Sequence, residues 1–394
     1  MKDKGEAMYV AKRMSRLGTE TAFEVLARAK SLEAQGKNII HLEIGEPDFN
    51  TPANIIEAAK QALSDGYTHY GPAAGDVDLR DVIVDEIKKT RGIDITPDNI
   101  VITPGAKPIM FFVILSCVEE GDEVIYPNPG FPIYESMIRY IGADPIPIPL
   151  LEERDFSFNV EDLKQLVSRR TRMMIINSPQ NPTGGTLSRE DLLQIAEIAV
   201  ANDIIVMSDE VYSRIIYDGQ HHSIFSIEGM KDRTVLIEGF SKTFAMTGWR
   251  LGYGVMPEHL AFHITKLMVN SNSCTCSFTQ RAGIEALTGP QDEVFRMVEE
   301  FKKRRNVIVE GLNRLPGFSC VIPKGAFYVF PNIKKTGMKS RELADFLMEK
   351  ANVACLSGTA FGEYGEGYLR FSYANSIENI KRALERIESS MNTI

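Results

Sequence analysis

A lysine can join an aldehyde cofactor through a Schiff base, and a nearby arginine can grip that cofactor's phosphate. Lys242 and Arg250, eight positions apart in Ser241-Lys242-Thr243-Phe244-Ala245-Met246-Thr247-Gly248-Trp249-Arg250, offer both groups. Pyridoxal 5′-phosphate (PLP) demands both of its protein. Alone, such a pair is two solvated cations. The surroundings alter that reading: Gly248 admits close backbone approach, Trp249 is the only tryptophan, and Leu251-Gly252-Tyr253-Gly254 reads as a short strand.

Further reactive groups follow other strand-like runs. In open α/β sheets, ligands collect outside the carboxyl ends of the strands, so the residue after each run is informative. Met173–Asn177 leads into Ser178-Pro179-Gln180-Asn181-Pro182-Thr183-Gly184-Gly185, a stiff turn carrying an asparagine amide. Ile204–Ser208 delivers Asp209-Glu210-Val211-Tyr212, an acid and a phenol. Ile100–Thr103 runs into Pro104-Gly105-Ala106-Lys107-Pro108, a glycine turn that opens a helix and so forms an anion cradle. Thr234–Glu238 leads to Lys242. Each of these taken singly is an ordinary turn, cap or packed tyrosine. Together they bring a lysine, an aspartate, a tyrosine, an asparagine and a phosphate-type loop to one region.

Strand-like and helical stretches alternate through the middle of the chain, the signature of a largely parallel sheet covered by helices. Glu123–Tyr126 is a further strand, and several of these runs are continuously apolar, as strands buried on both faces are. Helical periodicity spans Arg189–Ala201, capped by Ser188 with Asp191 three residues on, as well as Thr21–Gln35 and Ser340–Lys350. A long helical region from Ser277 breaks at Gly289-Pro290 and continues to Leu312. Ile39–Ile44 reads as a strand before the Gly45-Glu46-Pro47-Asp48 turn. Gly367–Ile387 reads as a strand and a terminal helix.

Composition excludes other classes. A chain of 394 residues, 44% hydrophobic and 25% charged, builds a large core and two domains. The net charge of −9 argues against nucleic-acid and anionic-membrane partners. The basic run Lys302-Lys303-Arg304-Arg305 reads as a solvated helix face. Five scattered cysteines have neither metal-ligand nor disulfide spacing, pointing to no metal and a reducing cytoplasm. Met1–Glu6 is charged, with no apolar segment of a signal peptide. The run Ile109–Val118 is too short to span a bilayer and reads as a buried helix.

From about Thr19 to the C-terminus the chain resembles the class I/II aminotransferases of the PLP-dependent fold-type-I superfamily, bacterial and archaeal aspartate aminotransferases among them. The resemblance rests on Gly45-Glu46-Pro47-Asp48-Phe49, Tyr67-Thr68-His69-Tyr70 with Gly75 and Leu79-Arg80, and Gly105-Ala106-Lys107. It continues through Asn181-Pro182-Thr183-Gly184, Asp209-Glu210-Val211-Tyr212, Ser241-Lys242 with Gly248-Trp249-Arg250, and Leu369-Arg370-Phe371-Ser372.

The resemblance implies a large PLP-binding α/β domain over 50–295, with a mostly parallel sheet flanked by helices, and a small α+β domain from 1–49 and 296–394. It implies that Lys242 bears the cofactor and moves the substrate Cα proton. Asp209 would pair with the pyridine nitrogen, while Tyr212 and Asn181 would bond the phenolic oxygen. Arg250, Ser241 and the backbone at Gly105, Ala106 and Lys107 would hold the phosphate, with Phe131 stacked on the ring. Arg370, with Gly45 and Asn181 beside it, would bind the substrate α-carboxylate through the guanidinium fork. Tyr70 would reach the phosphate in the neighbouring subunit, so a homodimer with shared sites is expected. Phe327 and Tyr328 would lie near the substrate.

The chain departs from many relatives in having Gly239, not a hydroxyl residue, three positions before Lys242. No second arginine stands ready for a distal carboxylate; Lys107 is the candidate, and Glu20, if it faces the pocket, would repel a dicarboxylate. The expectation is a transaminase passing an amino group between an L-amino acid (aspartate first, then alanine or an aromatic residue) and a 2-oxo acid such as 2-oxoglutarate. The alternative on the same fold is a PLP-dependent C–S β-lyase. A nicotinamide dehydrogenase fits less, because no strand runs into G-x-G-x-x-G.

Overall fold

The computed structural model of the chain describes residues 9–392, so the charged opening Met1–Glu6 lies outside the described residues. Seven strands form the central sheet: β1 Ile100–Thr103, β2 Glu123–Asn128, β3 Asp144–Pro149, β4 Thr171–Asn177, β5 Ile205–Asp209, β6 Thr234–Gly239 and β7 Gly252–Val255. Their order across the sheet is β1-β7-β6-β5-β4-β2-β3. Only β7 runs against its neighbours, β1 and β6; the remaining pairings are parallel. β1, β2 and β7 are buried throughout, as strands covered on both faces are.

Register fixes where the chemistry sits. Asn177 pairs with Asp209, Asp209 with Ile237, and Gly239 with Gly252, which itself pairs with Thr103. The carboxyl ends of β1, β4, β5 and β6 therefore meet the start of β7 at one edge. Helices cover both faces of the sheet: Lys107–Cys117, Ile133–Ile141 and Glu258–Ser271 share one core with it, and Val77–Arg91 and Ser277–Thr288 share another. The Arg189–Ala201 helix carries the capping box expected at Ser188 and Asp191.

A further core joins Ile40 and Leu42 to residues of the Asp292–Arg314 helix and of the last seventy positions, including Leu369, Phe371 and Ile380. Leu369–Ser372 pairs antiparallel with Leu356–Ser357 and with Tyr328–Val329. Three expectations need correction here. The Ile39–Ile44 strand is only Ile40–His41, paired with Val353–Ala354; beyond it the backbone leaves the ladder and Ile44 and Gly45 line the cleft. The Lys302–Arg305 run is not a wholly solvated face. Arg304 and Arg305 are each 5% exposed, paired with Asp48 and Asp218 and packed over Phe49 and Tyr217. The predicted Ser340–Lys350 helix also changes at Leu347, where the hydrogen bonding loosens into a single wide turn ending at Ala351.

Candidate active site

The converging strand ends open into a cleft of about 460 Å³. Lys242, Asp209, Tyr212, Asn181, Arg250, Ser241, Ala106, Lys107, Phe131, Gly45 and Arg370 all line it, as do Glu20, Gly239 and Tyr328. Gly105 stands just behind the surface. Its φ of +88° suits glycine, and a Cβ there would collide with the Arg250 guanidinium. Phe327 lies outside the lining and packs edge-on against Tyr212, with centroids 5.5 Å apart. Tyr70 does not reach this cleft and is 89% exposed.

Lys242 sits in the one-turn helix Phe240–Thr243 that follows β6, so the strand aims it at the cleft. Its Nζ donates to the Gly45 carbonyl at 2.6 Å and lies 5.9 Å from the centre of the Phe327 ring. One side remains open to the cleft. Crowding by protein on the others desolvates the ammonium and brings its pKa down to about 8, with Arg370 and Arg250 adding to the effect. A lysine poised there supplies free amine near neutrality.

Asp209 ends β5, fully surrounded. Tyr134 donates its hydroxyl to one carboxylate oxygen at 2.6 Å and the Val211 amide donates to the other at 3.3 Å. Burial pushes the carboxyl pKa up to about 6; these two hydrogen bonds pull it back, and Glu238 and Glu210 push it further up. A buried acid of this kind gains much from a cation placed against it.

Arg370 shows the opposite imbalance. It is 3% exposed, donates to the Asn181 side chain at 3.1 Å and to the Glu43 carbonyl, and lies over Tyr328 and Phe361. Its Nε has no partner, and among the described residues no carboxylate forms an ion pair with it. A buried guanidinium that lines a cleft, keeps one donor idle and has no carboxylate partner calls for an anion. Arg250 is anchored to the carbonyls of Thr247, at 2.8 Å, and Pro104, at 3.3 Å, beside the start of the Lys107–Cys117 helix, whose first N–H groups have no intrahelical acceptor.

Tyr212 bonds Tyr328 hydroxyl to hydroxyl at 2.7 Å, and burial raises its pKa well above the usual phenol value. Gly239 has a steric reason: a Cβ there would press on Ala106 at 3.3 Å. Two contributors escaped the sequence reading. Asn177 bonds the Asp209 carbonyl at 3.0 Å and accepts from the Asn181 amide at 2.9 Å. As a polar residue closing a buried strand it carried the same signal as Asp209. Tyr134, in a short amphipathic helix, carried none.

The donor set matches a flat aromatic aldehyde with a phosphate: an anion cradle at Gly105–Lys107 and Arg250, a carboxylate at Asp209, and an amine at Lys242, all on one cleft. Comparison with known proteins agrees. A model of aminotransferase class I and II matches residues 37–387. An aspartate aminotransferase of Pyrococcus horikoshii is 45% identical over 97% of this chain and 97% of its own length. The aromatic-amino-acid aminotransferase 2 of Thermococcus litoralis is 42% identical, covering 90% of this chain and 92% of its own. The solved structure of Thermus thermophilus aspartate aminotransferase with maleate superposes with a TM-score of 0.94 at 33% identity, over 98% of this chain and all of that one. The chain belongs to the class I and II aminotransferases, with their fold-type-I α/β architecture. Among the described residues no helix is long and apolar enough to cross a membrane.

Proposed function

We propose that this aminotransferase uses PLP at the Lys242 cleft to pass the α-amino group of L-aspartate to 2-oxoglutarate by a ping-pong route, with alanine and aromatic amino acids as the next donors. The observation that carries it is one cleft holding a desolvated amine, a buried acid and a buried, unpaired guanidinium. When bound, PLP supplies an electrophilic carbon and a ring that accepts electron density from the substrate Cα. Lys242 would hold the cofactor's aldehyde carbon, and its amine would move the proton at the substrate Cα. Asp209 retains a proton at the ring nitrogen. Tyr212 and Asn181 donate to the phenolic oxygen. Ser241, Arg250 and the amides of Ala106 and Lys107 would bind the phosphate, Gly105 shapes the turn with its own amide given to the Thr103 carbonyl at 2.7 Å, and Phe131 would cover the ring. Arg370, beside Gly45, takes the substrate α-carboxylate.

The names of the relatives support aspartate and aromatic donors without separating them. Glu20 bears on the choice: its carboxylate pairs with Lys107 at the cleft. A dicarboxylic substrate must displace Glu20 from Lys107, exchanging one acid for another. Glu20→Gln is therefore expected to raise kcat/KM for aspartate relative to alanine by roughly five- to tenfold, the range of a partly exposed charge pair. Steady-state transfer to 2-oxoglutarate from aspartate, alanine and phenylalanine tests both the activity and the ranking. An unchanged ratio in the variant would remove Lys107 from the distal site, and no transfer from any donor would sink the proposal.

The exposed Tyr70 supports a homodimer in which that ring completes the partner's cleft. The shared core of residues 40–42 with the C-terminal quarter supports a large domain of 50–295 and a small one of 1–49 with 296–394. A cytoplasmic location is proposed from the charge and cysteine pattern.

A further inference from the structure

Directly behind Asp209 the chain buries a second charged group that the reaction does not use. Glu210 and Glu238 hang from the ends of β5 and β6, and the Glu210 amide donates to the Ile237 carbonyl at 2.9 Å, locking the two ends together. The side chains are 1% and 9% exposed. One guanidinium serves both: Arg91, the last residue of the Val77–Arg91 helix and 5% exposed, reaches Glu210 at 2.9 Å and also pairs with Glu238. His221 at 2.7 Å, Ser223 at 2.6 Å and Ser208 at 2.9 Å complete Glu210, and Ser213 at 2.8 Å bonds Glu238. The neighbouring Glu86–Arg214 pair balances itself.

Two buried acids beside a third is an arrangement that opposes ionisation of the third unless a cation stands among them. We propose, resting on the PLP reading above, that Arg91 is a positioning residue for the cofactor: by neutralising Glu210 and Glu238 it leaves Asp209 ionised to hold the ring-nitrogen proton. Asp209 is faced by Tyr134 from the Ile133–Ile141 helix, by Tyr212 from its own turn, by Glu210 and Glu238 with Arg91 and His221 behind the sheet, and by Lys242 and Arg250 across the cleft. Of these, Arg91 is the cation shared by the two acids that weigh on it.

The sign is definite. An acid that must ionise to receive a pyridinium loses cofactor affinity as pH falls through its own titration, up to tenfold per unit. Binding of PLP to the apoprotein, measured by equilibrium dialysis between about pH 5 and 9, gives the midpoint of that loss. In Arg91→Met the midpoint is expected about one unit higher, and in Glu238→Gln about one unit lower; the double variant returns near wild type. The phosphate's own titration is common to all of them. Weakened binding at every pH with an unmoved midpoint would make Arg91 merely structural and overturn the proposal. Should Arg91→Met not fold, Glu238→Gln alone decides: a downward shift supports the proposal and a fixed or upward midpoint overturns it. Wild-type protein that bound no PLP at any pH would overturn the cofactor reading itself.

Discussion

Replacing Lys242 with alanine is expected to lower transamination at least about 10⁴-fold, since in the proposed function one side chain would supply both the covalent hold on the cofactor and the proton carrier at Cα. The fold should survive. Lys242 contributes one hydrogen bond, to the Gly45 carbonyl, and its removal widens an existing cleft rather than opening a void in a packed core. Sodium borohydride, which should fix PLP to the wild-type chain as a stable secondary amine, should then leave the variant unlabelled. Peptide mapping of the wild type should find the label on Lys242 and not on Lys107, the other lysine of the cleft, which is occupied by Glu20. A variant with wild-type turnover would contradict the assignment.

Asp209→Asn is the second large effect, a loss of roughly 10³-fold in kcat, the scale of removing one preorganised charge from a reacting centre. Asparagine keeps the shape; its amide oxygen can accept from the Val211 N–H while its NH2 donates to the Tyr134 hydroxyl, so folding is not at stake. What it cannot do is neutralise a protonated ring nitrogen, and without that proton the ring is a poorer sink for electrons from Cα. Stability should even rise modestly above pH 6. The carboxyl titrates at about 6 in the folded chain against about 4 when unfolded, so ionising it opposes folding as pH climbs. A variant that keeps its kcat while losing only cofactor affinity would limit Asp209 to binding.

Much of this site was legible because its groups sit at the ends of strands whose apolar runs declare themselves. Lys242, Asp209 and Gly105 each follow such a run, and the register that lines up Asn177, Asp209 and Ile237 is what parallel pairing of those runs produces. Arg370 was legible only through the resemblance, since a Leu-Arg-Phe-Ser strand by itself has no distinguishing pattern. Contacts between distant elements were not legible at all. Arg304 and Arg305 looked like two more cations in a basic run, and their burial depends on Asp48 and Asp218, far away in sequence. Arg91 likewise closes a helix with an ordinary basic last turn; its two acid partners lie 119 and 147 positions away. The pairing of Glu20 with Lys107 joins the N-terminal approach to the helix after β1, and only the folded chain brings them together.

The central claim is that one cleft takes the amino group from an amino acid and keeps it. The measurement closest to that claim is the half-reaction: purified protein loaded with PLP, mixed with L-aspartate and no 2-oxo acid. The expected result is conversion of the cofactor's aldehyde form to its amine form, with one 2-oxo acid released per site and no free ammonia, and reversal on adding 2-oxoglutarate. Ammonia and pyruvate released catalytically from cystathionine, with no amine form accumulating from any amino acid, would contradict it.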